Sequence, residues 1–163
     1  ELFGNAKTIV NRGIRGYQTG LLLENLDAHL YGGAVDKIVL LIGTNDIGKD
    51  VSVNEALNNL EAIIQSIARD YPLTEIKLLS ILPVNEGEEY KQTVYIRTNE
   101  KIQKWNQAYQ ELASAYMQVE FVPVFDSLTD QADQLKKEYT TDGLHLSVTG
   151  YQVLTKALKD YLL

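Results

Sequence analysis

The sequence contains no cysteine, and among its 163 residues there are only three prolines, two histidines and one methionine. The absence of cysteine excludes a disulfide framework, a thiolate zinc site and a cysteine nucleophile. No apolar run approaches the roughly 18 residues that a membrane span needs, since the longest is the strand-sized Ile38–Ile42. An excess of positive charge is also lacking, because 15 Lys and Arg oppose 22 Asp and Glu, a net charge of −7. This balance disfavours binding to nucleic acids and to anionic lipid surfaces.

What is present is an ordinary globular composition, with 45% hydrophobic and 23% charged residues in 18.3 kDa. This length predicts a single domain over residues 1–163. There is no initiator methionine, so we expect the sequence to be N-terminally incomplete. Glu1–Asn5 has neither the basic nor the apolar part of a secretory signal, and a cytoplasmic location is expected. A homodimer is a candidate assembly.

Apolar patterns along the chain predict alternating strands and helices. Short β-branched or continuous apolar runs predict strands over Lys7–Asn11, Lys37–Ile42, Glu75–Leu82 and Val119–Val124. Amphipathic patterns predict helices over residues 19–30, 52–67, 95–117 and 147–161. Thr19 is the predicted N-cap of the first of these helices, and Gly32-Gly33 is its predicted stop. Strands that alternate with helices form a parallel sheet with helices on both faces, so we expect an α/β fold. Ligands of such sheets bind outside the carboxyl ends of the strands.

The first candidate cluster follows the first predicted strand, where residues 11–17 read Asn-Arg-Gly-Ile-Arg-Gly-Tyr. Glycines such as Gly13 and Gly16 allow the backbone to approach a ligand and point an N–H at it. A tight turn with a glycine at positive φ explains the same residues, and neither phosphate-binding glycine motif is matched. Both the ligand-binding turn and the purely structural turn stay open.

The second cluster, Gly43-Thr44-Asn45-Asp46, ends the most apolar predicted strand. The Asn45 amide can donate its NH₂ group into a cleft, and Gly43 lets the chain turn without a Cβ. Alternatively, Asn45 and Asp46 form an Asx turn or a helix cap, which is common after strands. The sequence favours neither interpretation.

The third cluster, residues 141–147, precedes the final helix. Asp142 stands three residues before His145, with Gly143 between them, so the carboxylate can fold back and accept from the imidazole. The alternative is a structural loop histidine, with Asp142 capping the helix. The second histidine, His29, fits a surface position on a helix. A metal site of Asp46, Asp142 and His145 lacks a second histidine ligand, so no metal and no cofactor are expected.

These three clusters carry a family resemblance. The segments NRGIRGYQT, LLIGTND and DGLHLSVTGY resemble, in order and spacing, the second, third and fifth sequence blocks of the SGNH (GDSL) hydrolases. The likeness covers nearly the whole chain, and LLSILPV and KIQKWNQAY also look like this family. Within it, the chain is most similar to small esterases such as the catalytic subunits of platelet-activating-factor acetylhydrolase.

The resemblance implies a three-layer α/β/α fold with a flavodoxin-like parallel sheet and a Ser-His-Asp triad that hydrolyses esters through an acyl-enzyme. It implies that His145 is the general base and Asp142 its orienting partner. By the same resemblance, the Gly16 N–H and the Asn45 side chain donate to the oxyanion hole. The expected substrates are small or lipid-like carboxylic esters.

The family's first block, a buried strand ending in Gly-Asp-Ser, is missing from the sequence. We therefore expect the first strand and the nucleophilic serine upstream of Glu1, and residues 1–163 alone to be inactive. Of the six serines, only Ser80 lies near a strand end, and the others fit caps or helices, namely Ser52, Ser66, Ser114, Ser127 and Ser147. The alternative function is a non-catalytic SGNH-like binding domain or an inactive fragment.

Overall fold

The computed structural model describes residues 9–30 and 35–162, which build a parallel sheet covered by helices. Its strands are β1 (Lys37–Leu40), β2 (Glu75–Leu79) and β3 (Val119–Val122), hydrogen-bonded in the order β1-β2-β3. Both strand pairs are parallel, with Ile38 opposite Ile76 and Leu78 opposite Phe121. The segments that leave the carboxyl ends of all three strands therefore start at one common edge.

The helices in the described part of the chain lie before β1, in the connections between the strands and in the C-terminal region. They are α1 (Thr19–Glu24), α2 (Leu26–Leu30), α3 (Thr44–Gly48), α4 (Val53–Asp70), α5 (Lys91–Val94), α6 (Asn99–Ser114) and α7 (Val148–Leu162). Single 3₁₀ turns cover Glu88–Tyr90, Asp126–Leu128 and Lys137–Tyr139. None of these helices combines the length and the apolar character needed to cross a bilayer.

The side chains of β2 alternate between two apolar layers. Ile76 and Leu78 are fully buried in the cluster that includes the apolar faces of α4 and α6. Leu79 belongs instead to a second cluster with Leu154 and Leu158 of α7. Helices therefore cover both faces of the sheet, which confirms the predicted three-layer α/β/α fold.

The predicted strand over Lys7–Asn11 is not present in its described part. Lys7 and Thr8 lie outside the described residues, and residues 9–14 have no regular secondary structure. Ile9 and Val10 are 60% and 58% exposed, with no strand of the described chain beside them. A β-branched run becomes a strand only where a neighbouring strand satisfies its backbone hydrogen bonds, so the local pattern was insufficient here.

The predicted helix over residues 19–30 is divided into α1 and α2 at Asn25. The Asn25 backbone N–H and side-chain amide both donate to the Leu21 carbonyl, which ends α1. Thr19 is not the N-cap, because Gln18 occupies that position and Thr19 instead bonds to Asp46 at the start of α3. The predicted stop at Gly32-Gly33 lies outside the described residues.

The predicted helix over residues 95–117 begins four residues later, at Asn99. Thr98 caps α6 by accepting a hydrogen bond from Lys101 N at 3.2 Å. Tyr95 separates α5 from α6 because its φ of 59° lies in the left-handed region, which interrupts helical hydrogen bonding. The Ser52 and Ser147 caps are confirmed, since their hydroxyls accept from Glu55 N and Gly150 N.

The predicted strand over Glu75–Leu82 ends at Leu79 because asparagines of α6 take over the backbone hydrogen bonding. The Asn106 side chain accepts from Ile81 N at 2.7 Å and donates to Ile81 O at 3.0 Å. Asn99 makes the same pair of bonds to Val84, at 2.9 and 2.8 Å. Both amides are buried, and they hold the segment that runs from β2 toward the carboxyl edge.

We expect Asn106→Leu to lower the free energy of unfolding by about 3 kcal/mol, because it leaves the buried N–H and C=O of Ile81 without partners. Urea denaturation followed by circular dichroism measures this loss. Gln107→Leu is the matched control, since the Gln107 amide is exposed and pairs only with Glu111 on the same helix. An equal loss in both variants would contradict the role of Asn106.

Candidate active site

Asp142 and His145 form a hydrogen-bonded pair in the loop before α7. Asp142 Oδ2 lies 2.7 Å from His145 Nδ1, and Asp142 Oδ1 accepts from the backbone N–H groups of Leu144 and His145 at 3.0 and 2.8 Å. The His145 side chain is 57% exposed, so its other ring nitrogen is accessible to a reactant. This is the geometry that the spacing of the two residues predicts.

The hydrogen bonds of Asp142 also determine its charge. Partial burial raises the pKa of this carboxyl, but the hydrogen bonds from His145 and Leu144 outweigh it and hold the pKa below its usual range. Asp142 is therefore an anion at neutral pH, and its hydrogen bond orients the imidazole.

Thr140 closes the loop that carries this pair. Its buried hydroxyl donates to His145 O at 2.7 Å and accepts from Gly143 N at 2.9 Å. Gly143 has a φ of +82°, and a Cβ there would lie 2.5 Å from Tyr90 Cβ. Asn85 N donates to Gly143 O at 2.8 Å, which fastens the loop to the segment beyond β2. Hydrogen bonds from Thr140 and Asn85 therefore hold this loop in place.

Asn45 and Asp46 dock the glycine turn of residues 13–16 onto α3. Asn45 Nδ2 donates to Tyr17 O at 3.0 Å, which fixes the orientation of the amide. Asp46 is 1% exposed and accepts from Thr19 N at 3.0 Å and from Thr19 Oγ1 at 2.6 Å. The neutral amide has two N–H donors, so one is left for a ligand among the bonds that the described residues make.

Gly16 lies in the turn that these contacts position. Its φ is +82°, a conformation that favours glycine, and a Cβ at this position would meet no atom of the described residues within 4 Å. The residue is exposed, and its N–H meets no acceptor within the described part of the chain. Asn45 therefore bonds to the residue that follows Gly16, and Gly16 and Asn45 each have a donor available.

Gly43 permits the close approach of α6 to the start of α3. Its φ is +119°, and a Cβ there would lie 2.6 Å from both Ile81 Cδ1 and Tyr109 Oη. Burial raises the pKa of the Tyr109 hydroxyl strongly, and the nearby Asp46 raises it further. Burial also raises the pKa of Asp46, against the opposing effect of its bonds from Thr19. The Tyr109 hydroxyl and the Asp46 carboxyl are therefore assigned a structural role beneath the glycine turn.

The segment of residues 85–97 contacts both parts of the site, the Asp142 and His145 pair and the start of α3 that carries Asn45. The sequence alone did not point to this segment. Tyr90 packs against Gly143, next to the Asp142 and His145 pair. Arg97 Nε donates to Thr44 O at 2.9 Å, at the residue before Asn45. No hydrogen bond of the described residues directly joins the Asp142 and His145 pair to Gly16 or Asn45. The only sequence signal was the polar loop at residues 85–89, which follows the end of β2.

No serine whose contacts are described here has the surroundings of a nucleophile. The Ser80 hydroxyl is 1% exposed and accepts from Val124 N and Phe125 N, each at 3.0 Å. Ser147 donates to Glu138 O while capping α7, and Ser114 donates to Glu111 O. Ser52 caps α4. The structure also does not group Asp46 with Asp142 and His145, since no metal-binding cluster of three such residues occurs in the described ranges.

Comparison with solved structures shows the same fold in several bacterial proteins. A Streptococcus pneumonia protein provisionally described as a platelet activating factor is 89% identical, with a TM-score of 0.98 over 99% of this chain and 76% of that chain. A catalytic mutant of an acetylxylan esterase from Geobacillus stearothermophilus is 19% identical, with a TM-score of 0.73 over 93% of this chain and 70% of that chain. The second likeness shows the fold alone.

Comparison with known sequences finds a relative that is named as an esterase/lipase. A GDSL esterase/lipase of Arabidopsis thaliana, CPRD49, is 27% identical over an alignment of 170 positions that covers 94% of this chain and 66% of that protein. The chain therefore spans slightly less than two thirds of that relative's length. The model of the GDSL-like lipase/acylhydrolase family matches residues 1–153. With nearly its whole length matched by that model, the chain belongs to the GDSL-like lipase/acylhydrolase family.

Proposed function

We propose that the polypeptide containing this sequence is a serine esterase that cleaves small or lipid-like carboxylic esters through an acyl-enzyme. The observation that carries the proposal is the 2.7 Å contact between Asp142 Oδ2 and His145 Nδ1 beside an exposed imidazole face. A fixed imidazole of this kind removes the proton from an attacking hydroxyl and later returns it to the leaving group.

The oxyanion hole in this proposal consists of the Gly16 N–H and the Asn45 side-chain amide. Gly16 belongs to the turn that Tyr17 and Thr19 fasten to α3, and Asn45 lies on α3 itself. Their positions are set before a substrate arrives, so no reorganisation is needed when negative charge develops on the carbonyl oxygen. Electrostatic preorganisation of this kind stabilises the tetrahedral intermediate more than the planar ester.

We assign the nucleophile to a serine upstream of Glu1. In support, the described sheet leaves β1 without a neighbour on one side, and Val39 of this outer strand and Leu41 just beyond it are 42% and 44% exposed. An apolar free edge is a site for pairing with another strand. A strand that pairs there in parallel ends at the same edge as Gly43, next to the proposed oxyanion donors.

The test is labelling of the longer polypeptide with a fluorophosphonate, which reacts only with an activated serine. We expect one labelled serine, located by peptide mass spectrometry upstream of Glu1. No labelling would favour the second candidate, a non-catalytic binding domain, which the bonded hydroxyls of Ser80 and Ser147 also fit. Labelling at any of the six serines within residues 1–163 would refute the upstream assignment.

Asn45→Ala in that polypeptide is expected to lower kcat for p-nitrophenyl acetate by about 10²- to 10³-fold, the usual loss when one oxyanion donor is removed. KM should change far less, because the amide binds the intermediate more strongly than the ester. Asn25→Ala is the control, since its amide bonds only to Leu21 O within α1. Equal kcat values for the two variants would exclude Asn45 from the oxyanion hole.

A homodimer and a cytoplasmic location stay predictions. Sedimentation of the purified polypeptide and fractionation of the cells that produce it would test them.

A further inference from the structure

Arg97 lies between α5 and α6, and backbone carbonyls hold its guanidinium group. Nε donates to Thr44 O at 2.9 Å, and Nη1 donates to Val94 O at 3.2 Å and to Thr93 O at 3.5 Å. The group also packs against Gly48, where a Cβ would overlap Nη2. Among the described residues, no carboxylate forms an ion pair with Arg97, and burial lowers the pKa of its guanidinium.

These contacts connect Arg97 to both ends of α3, which begins at Thr44 and ends at Gly48. The Thr44 carbonyl belongs to the peptide that leads into Asn45, so the bond from Nε fixes the backbone on which the Asn45 amide is carried. The Thr44 hydroxyl is buried without a partner in the described part of the chain. Of the side chains that bond to α3 from other segments, Thr19 holds Asp46 and Arg97 holds Thr44.

The charge of Arg97 also bears on the reaction. A guanidinium remains protonated over the whole working pH range, and here it donates its hydrogen bonds to neutral carbonyls. The positive charge strengthens these hydrogen bonds to the carbonyls, so it acts on the reaction through the peptide that carries Asn45.

We propose that Arg97 is a positioning residue of the oxyanion hole, which clamps α3 between Thr44 and Gly48 so that the Asn45 amide is held toward the developing oxyanion. The inference rests on the proposed esterase function. It goes beyond it because neither the Asp142 and His145 pair nor the glycine turn requires an arginine at this position.

The test uses Arg97→Gln and Arg97→Lys in the longer polypeptide, with p-nitrophenyl acetate as substrate. We expect Arg97→Gln to lower kcat by about 10- to 100-fold with KM changed less than about threefold, because a shift of about 1 Å in a catalytic group has effects of this size. Arg97→Lys keeps the charge without the planar fork, so its kcat should lie between those of wild type and Arg97→Gln. Arg69→Gln is the control, since Arg69 is exposed and pairs with Asp70.

A double-mutant cycle with Asn45→Ala separates positioning from a general structural role. If Arg97 acts through Asn45, Arg97→Gln should cost less than about threefold in the Asn45→Ala background. Full additivity, or an Arg97→Gln variant with unchanged kcat, would overturn the proposal. If the wild-type protein shows no esterase activity, the proposed esterase function itself is refuted. That result is distinct from additivity in the double-mutant cycle, which refutes only the role of Arg97.

Gly48→Ala provides a second approach if Arg97→Gln does not fold. The added methyl group displaces the guanidinium from the opposite end of α3, and Gly48 has no positive φ that would make alanine strained. We expect a kcat loss in the same direction, and again little further loss in the Asn45→Ala background. A Gly48→Ala variant with wild-type kcat would contradict the clamp.

Discussion

His145→Ala in the longer polypeptide is expected to lower kcat/KM for p-nitrophenyl acetate by at least about 10³-fold, because general-base catalysis and nucleophile activation are lost together. His145 is the histidine whose ring is oriented by a carboxylate, at 2.7 Å from Asp142. Steady-state hydrolysis rates measure the loss, and circular dichroism checks that the variant is folded. The side chain is 57% exposed, so its removal leaves no cavity in the core.

His29→Gln is the matched control for this variant. His29 lies on α2 with its ring edge-on to Tyr17, and no carboxylate of the described residues bonds to it. We expect its kcat/KM to stay within about threefold of wild type. If His145→Ala kept more than a tenth of the activity, or if the two variants lost equal activity, His145 would not be the general base.

The parts of the site that are local in sequence could be predicted from the sequence. Asp142 and His145 are three residues apart, and the glycine between them lets the carboxylate return to the ring, so their contact follows from spacing alone. The orientation of the Asn45 amide could not be predicted from spacing in this way, because its partner Tyr17 is 28 residues distant. The family resemblance indicated Asn45, but no local pattern indicated what holds its amide.

The contacts that hold the site together join distant segments and have no signature in a single sequence. The structural interpretation of the sequence gives Asp46 an Asx turn or a helix cap, yet Asp46 bonds to Thr19, which precedes it by 27 residues. Arg97 is an ordinary loop arginine until Thr44 is placed beside it. Hydrophobic periodicity locates the layers of the fold, whereas the identity of a polar partner depends on tertiary packing.

The ends of the strands were mispredicted for a related reason. Ile81 and Leu82 continue the apolar pattern of β2 beyond Ser80, so the pattern extends the strand to Leu82, but Asn106 replaces the neighbouring strand at Ile81. A side-chain amide that both donates and accepts can satisfy the hydrogen bonds of a backbone peptide group, as a neighbouring strand does. Apolar patterns report burial and not which group makes the hydrogen bonds, so they cannot locate such a change.

Asp142→Asn is expected to lower kcat by about 10³- to 10⁴-fold, because the amide no longer stabilises the imidazolium and can hold the ring in the wrong tautomer. Asp160→Asn, at an exposed position on α7, is the control and should retain wild-type kcat. A tenfold loss or less in Asp142→Asn would show that the carboxylate does not orient the base.

The same variant has a second, independent consequence for stability. The pKa of Asp142 is held below the ordinary aspartate value of 3.8 by its bonds from His145 and Leu144, which outweigh the effect of burial. A carboxyl whose pKa is depressed by folding stabilises the native state above its unfolded pKa, and this contribution is lost as the pH falls through the lower, folded pKa. Thermal unfolding should therefore show a lower Tm for Asp142→Asn than for wild type at about pH 5 to 7. The difference should shrink below about pH 4, because Asp142 then becomes protonated and is neutral like the asparagine of the variant. A difference that grows as the pH falls would mean that Asp142 is not stabilised as an anion, and the orienting role derived from its hydrogen bonds would fail with it.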